Sequence, residues 1–227
     1  MSIVCRQIQP KDISDGLLNL DFNDVDTLTL DGSYIDSVSD EFGGVITTEQ
    51  LTPAARPIYV PNVKNGRGVA RFDLDFLESS LNLNSYANMT IFGVYRSNVT
   101  ASTIAVFGQD NGGYDRTLWA NLEGTAQLGT GNGGIITISD FNTQDVWYII
   151  AITYNGANSI VHIKNVLSAN FAALSPDGGI TTGIGAGRGG GQNPFKGDIG
   201  QLIFYGRALS DNERNAVINY LSNKFAI

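Results

Sequence analysis

The chain has 227 residues, 14 Lys and Arg against 22 Asp and Glu, a formal net charge of −8 and only 16% charged residues. Such acidity excludes a phosphate-neutralising face, so neither nucleic acid nor an anionic membrane surface is an expected partner. One cysteine, Cys5, and one histidine, His162, exclude an intrachain disulfide, a thiolate zinc site and a His-rich catalytic metal centre.

Residues 1–16 carry weak strand periodicity and are expected to form an N-terminal arm or leading segment. Residues 17–227 are expected to form one domain. The start contains Arg6, Lys11, Asp12 and Asp15 and no apolar h-region, so no signal peptide is expected and synthesis is assigned to the cytosol. No run reaches the ~18 apolar residues of a membrane-spanning helix, and membrane insertion is not expected. Low charge and 27 glycines favour strands joined by tight turns. Strands are predicted at Val69–Phe72, Met89–Tyr95, Ile135–Ile138, Val146–Tyr154, Ser159–Lys164 and Gly197–Tyr205, with Asn155-Gly156 closing a hairpin. Turn signals stand at Asp31-Gly32, Asn65-Gly66, Asn111-Gly112-Gly113, Asn132-Gly133-Gly134 and Asp177-Gly178-Gly179. In the last long strand, alternation places Ile199, Gln201, Ile203 and Tyr205 on one face. The period then changes. Ser210 and Glu213 form a capping box, and Val217, Ile218, Leu221 and Phe225 recur at helical spacing, predicting a helix over 211–225 packed on the outside of the strands.

Three blocks resemble the laminin-G-like, concanavalin A-like lectin/glucanase family. The first runs from Leu20-Asp21-Phe22 through Thr27-Leu28-Thr29-Leu30-Asp31-Gly32 to Asp40-Glu41-Phe42-Gly43. The second is Arg56-Pro57-Ile58-Tyr59 with Asn65-Gly66-Arg67-Gly68-Val69-Ala70-Arg71-Phe72-Asp73. The third joins Phe195-Lys196-Gly197-Asp198-Ile199, Tyr205, Arg207-Ala208-Leu209-Ser210, Glu213-Arg214 and Tyr220-Leu221-Ser222-Asn223-Lys224-Phe225. Gln201 stands where the family commonly has Glu, and Ser37 or Val38 near a frequent Trp. The resemblance implies an all-β, two-sheet antiparallel jelly-roll sandwich of about a dozen strands with a C-terminal helix. It further implies a carbohydrate-binding or adhesion module, of a kind also found as structural or receptor-facing parts of bacteriophage particles.

Sugar recognition needs an aromatic face and planar polar groups for vicinal hydroxyls. The segment Gly108–Trp119 offers Asp110, Asn111, Tyr114, Asp115, Arg116 and Trp119, and the glycine-rich loop Gly185–Asn193 adds Arg188, Gln192 and Asn193. The alternatives are a plain turn with an Asp115–Arg116 surface pair and Trp119 in the core, and a flexible rim connector. Gly185-Ala186-Gly187-Arg188-Gly189-Gly190 matches G-x-G-x-x-G, but no βαβ unit surrounds it. Calcium is a candidate cofactor at Asp21, Asp24 and Asp26 or at Asp110 and Asp115. Asp73, Asp75 and Glu78 resemble the one-strand carboxylate run of the glucanases, with Asp in place of the nucleophilic Glu. His162 reads as a hydrogen-bonded strand residue rather than a triad member. A non-catalytic lectin-like module on a virion or cell surface is the leading expectation. A decoration protein with protein partners only and a weak glycoside hydrolase stay open, as does homo-oligomer formation.

Overall fold

A computed structural model describes residues 7–99, 102–122, 124–131, 133–138, 143–164, 166–175 and 181–227. Cys5 and the Asp177-Gly178-Gly179 turn lie outside the described residues.

Seventeen strands and one α-helix are described, many of the strands short: β1 Gly16–Asp21, β2 Leu28–Asp31, β3 Tyr34–Val38, β4 Thr48–Glu49, β5 Ile58–Lys64, β6 Arg67–Asp75, β7 Leu77–Ser79, β8 Met89–Ser97, β9 Ile104–Gly108, β10 Leu118–Leu122, β11 Thr125–Gly131, β12 Gly134–Thr137, β13 Trp147–Tyr154, β14 Ser159–Ile163, β15 Val166–Phe171, β16 Thr182–Ile184, β17 Phe195–Tyr205 and α1 Asp211–Phe225. Antiparallel pairing sorts them into two layers. The first runs β15–β14–β13–β8–β17; β6 and β1 then share the far edge of β17, and β5 pairs with β6. The second runs β2–β3–β4–β7–β16–β9–β10–β11–β12. One pairing, Tyr34 with Ile58, links the layers.

Between the layers lies the main core, with Leu18, Leu20, Phe72, Ile91, Tyr95, Ile104, Val106, Leu118, Leu128, Ile150, Ile152 and Phe204. A second cluster covers the outer face of the first layer. There Val217, Ile218, Leu221 and Phe225 of α1 cover Phe92, Val94, Ile149, Ala151, Ile203 and Tyr205. Strands β8, β13 and β17 are therefore buried on both faces, which is why their sequences read as dense apolar runs. Helix α1 starts at the expected box: Ser210 Oγ accepts from Glu213 N–H, while the Glu213 carboxylate takes the Ser210 N–H at 2.9 Å.

One expected face is corrected. The pairing of β17 with β8 slips between Ile199 and Gln201, where Gly200 adds an extra residue. This bulge turns Ile199 into the inter-layer core with Leu202 and Phe204, while Ile203 and Tyr205 meet the helix. The leading segment also has a place. Residues Pro10–Asp12 form a 3₁₀ turn, Ile13 joins the helix-side cluster, and Tyr205 OH donates to Pro10 O at 2.9 Å. His162 is buried, but its Nδ1 finds no hydrogen-bond partner among the described residues, against expectation. Burial first, and the Arg214 cation second, hold its pKa below the usual imidazole value.

Candidate functional site

The third sequence block is explained by structure alone. Asp198, fully buried near the start of β17, accepts from Arg71 Nε at 2.7 Å and Arg96 Nε at 2.9 Å. Arg207 grips Glu213 at 2.7 and 3.0 Å and Asp15 at 3.1 Å, tying the helix cap to the start of β1. Arg207 first, then the Ser210 N–H, lowers the Glu213 pKa to about 2.

The two loops chosen for sugar recognition are far apart in the chain and adjacent in space. Asp110 N–H donates to Gly187 O at 2.8 Å, Thr117 Oγ1 to the same oxygen at 3.2 Å, and Ala105 N–H to Asn193 O at 3.0 Å. They meet over the outer face of the second layer, where a Cβ on Gly187 would stand 3.7 Å from that of Ala105.

Within this patch the nine candidates divide. Asn111, Tyr114, Arg188 and Gln192 are exposed, and Asn193 is half-buried. Asp110 is a loop lock: its Oδ1 accepts from Gly112 N–H at 2.8 Å and Tyr114 N–H at 2.9 Å. That clamp holds Tyr114 at φ 53°, in the left-handed region, with the residue 41% exposed. Trp119, 1% exposed, supports the Tyr114 ring edge to face at 5.8 Å and 76°.

Asp115 and Arg116 are corrected: they are buried, so neither is a ligand contact at the surface nor a surface ion pair. Arg116 Nη1 donates to Leu83 O at 2.6 Å and Nη2 to Ala87 O at 3.2 Å, with the guanidinium 4.8 Å from the Tyr154 ring centroid. Burial depresses its pKa, yet these acceptors and the ring hold the cation. The glycine-rich loop is likewise tied in rather than a loose connector. Gly185 N–H donates to Val106 O at 2.8 Å, Gly187 N–H to Gln192 O at 2.7 Å and Phe195 N–H to Gly185 O at 2.7 Å.

The other candidate chemistries are taken apart by their contacts. Leu74, at φ 67°, kinks β6 between Asp73 and Asp75, so no single strand face carries the carboxylate run. Asp73 pairs with Lys196 at 2.6 Å, whereas Glu78 accepts from Gly190 N–H at 3.1 Å. Asp21 is spent on Lys224, Asp24 on the Asp26 N–H, and Asp110 on its loop. Among the described residues no group of three or more His, Cys, Asp or Glu is arranged to hold a metal ion.

A buried polar network between β1 and α1 escaped the sequence reading. Lys224 Nζ bonds Asp21 Oδ2 and, at 2.9 Å, Gln201 Oε1; Gln201 Nε2 reaches Asn19 Oδ1 at 2.8 Å, and Asn19 Nδ2 reaches Glu41 Oε2 at 2.7 Å. Burial, then the neighbouring Asp21 carboxylate, raises the Glu41 pKa to about 7. Asp21, Glu41 and Lys224 fall within recognised sequence blocks, but no local pattern announces their pairing.

The fold and the patch define a jelly-roll sandwich that presents a preorganised polar-aromatic rim. A family model described as the Concanavalin A-like lectin/glucanases superfamily matches residues 79–213, and the chain belongs to that superfamily. No curated protein sequence matches. Among solved structures, the binding domain of Paraclostridial Mosquitocidal Protein 1 aligns with a TM-score of 0.66 at 15% identity, covering 95% of this chain and 54% of that one. Domain 4 of AbnA, a GH43 extracellular arabinanase from Geobacillus stearothermophilus in complex with arabinotriose, aligns at 0.59 and 15%, covering 88% and 97%. A botulinum neurotoxin type C structure aligns at 0.56 and 12%, covering 91% and 51%. The chain spans about half the length of the toxin chains it matches. At these identities the likeness is one of fold.

Proposed function

We propose that this protein is a non-catalytic lectin-like module, carried on a virion or cell surface, that binds carbohydrate through Asn111, Tyr114, Arg188, Gln192 and Asn193. The observation that carries this reading is the locking of two distant loops together, one bearing an exposed aromatic ring and the Asn111 amide, the other exposed Arg188 and Gln192. The Tyr114 ring supplies a face for sugar C–H groups, and the flanking side chains supply bidentate partners for vicinal hydroxyls. Because Asp110 and Trp119 already hold Tyr114 in place, little ordering cost remains for binding. Superfamily membership supports the reading, as do the printed ligands of two similar structures, arabinotriose and gangliosides.

Binding of the purified protein to a broad glycan array, with calcium and with EDTA in parallel, tests it. Saturable binding in both arms, lost in Tyr114→Ala while the melting temperature holds, is the expected result. A folded protein that binds no glycan overturns the reading. A second reading, a decoration protein with protein partners, is favoured by strand β15. It pairs only with β14 among the described strands and exposes 68% of Val166 and 50% of Leu167.

A further inference from the structure

Beside the rim runs a groove that no sequence motif announces. Its deeper part encloses about 380 Å³ and is lined by residues including Gln50, Leu51, Phe76, Glu78, Ser80 and Thr181. An adjoining cavity of about 430 Å³ shares Thr47 and Glu49 with it, so the two flank the two-residue strand β4. The floor carries an unusual charge arrangement. Glu49 and Glu78 are direct partners in the β4–β7 register. Directly opposed residues of an antiparallel pair bring their Cβ atoms within about 4.5–5.5 Å, where like charges oppose folding. No described Lys or Arg forms an ion pair with either carboxylate.

A further observation points to a ligand. Leu51 stands 76% exposed at the groove and Phe76 is half-buried in its wall, an apolar surface left to solvent between polar hydroxyls. The groove also adjoins the rim. Gly190 N–H donates to Glu78 Oε2 at 3.1 Å, and a Cβ on Gly191 would collide with the Phe76 ring, so the Arg188–Gln192 turn touches two residues that line the groove.

We infer that the groove binds the free amino groups of an aminated polysaccharide, as an extension of the rim site. This rests on the carbohydrate reading for the sugar and on the groove alone for the amine. Glu49 and Glu78 together accept a primary ammonium by charge-assisted hydrogen bonds, and the opposed charges become complementary once it is bound. Phe76 and Leu51 take the apolar face of the ring, and Thr47 and Ser80 supply hydroxyl partners.

The test titrates the protein with oligomers of glucosamine, with their fully N-acetylated counterparts and with a lysine-rich peptide. The glucosamine oligomer is expected to bind about tenfold more tightly than the acetylated one, less so as salt rises. Glu49→Gln and Glu78→Gln are each expected to remove roughly fivefold of that preference. Glu49 is exposed, so its variant keeps the fold even if loss of the Gly190 contact disturbs the other. Equal affinity for the two oligomers, or an unchanged preference in both variants, overturns the inference. So does tighter binding of the peptide, which makes the groove a protein-docking site, and so does release of reducing ends, which makes the pair hydrolytic. Tyr114→Ala separates the two readings. It weakens both oligomers if the rim binds sugar, whereas an amine preference that survives without any Tyr114 dependence removes the rim and leaves the groove.

Discussion

Glu41→Gln is expected to flatten the dependence of stability on pH. In the folded protein Glu41 is half-buried against Asn19 and beside the Asp21 carboxylate, and its pKa stands at about 7 against an ordinary 4.5. A carboxyl group whose folded pKa lies above its unfolded value favours the native state while it is protonated. Its contribution is complete below about pH 4.5, declines as pH rises, and is gone above about pH 7. The full displacement corresponds to about 3 kcal/mol. Glu41 is only half-buried, and solvent screening brings the expected loss to about 1–2 kcal/mol. Glutamine reproduces the protonated acid: its carbonyl accepts from Asn19 and its amide donates toward Asp21. Urea midpoints of wild type and variant across pH 5 to 8 check the expectation, with the variant gaining over wild type as pH rises. Taking the difference cancels His162, whose depressed pKa has the opposite sign, its contribution being lost as pH falls below the usual imidazole value. Parallel pH profiles would refute the assignment of Glu41 as a protonated member of the network.

Two further outcomes follow from burial. Arg116→Met leaves the carbonyls of Leu83 and Ala87 without their donor and is expected to cost about 2–4 kcal/mol in chemical denaturation. Glycan binding by the folded fraction stays unchanged; lost binding at full stability would return Arg116 to the ligand site. Leu221→Ala opens a cavity between α1 and the first layer and is expected to cost about 2–5 kcal/mol. Below its lowered melting temperature it binds glycan normally, because the rim lies on the other layer, and a binding defect there would refute that separation.

The helix and the strongest strands are legible in the sequence because their signals are local. A capping box spans four residues, Asn155-Gly156 closes its own hairpin, and an apolar run such as Tyr148–Tyr154 fills whichever two cores flank it. Tertiary structure alone decided the rest. The bulge at Gly200 exchanges the face of Ile199, because an extra residue shifts a two-residue period only when a partner strand defines the register. Asp115, Arg116 and Trp119 carry chemistry suited to a ligand, and burial between strands and loops distant in sequence turned them into support for Tyr114 and the core. The Lys224–Asp21 pair, the Asp110–Gly187 contact and the Glu49–Glu78 opposition join segments from separate parts of the chain. Composition can supply such groups, but only the closed sandwich sets which of them meet, since electrostatic and hydrogen-bond partners act over a few ångströms in space.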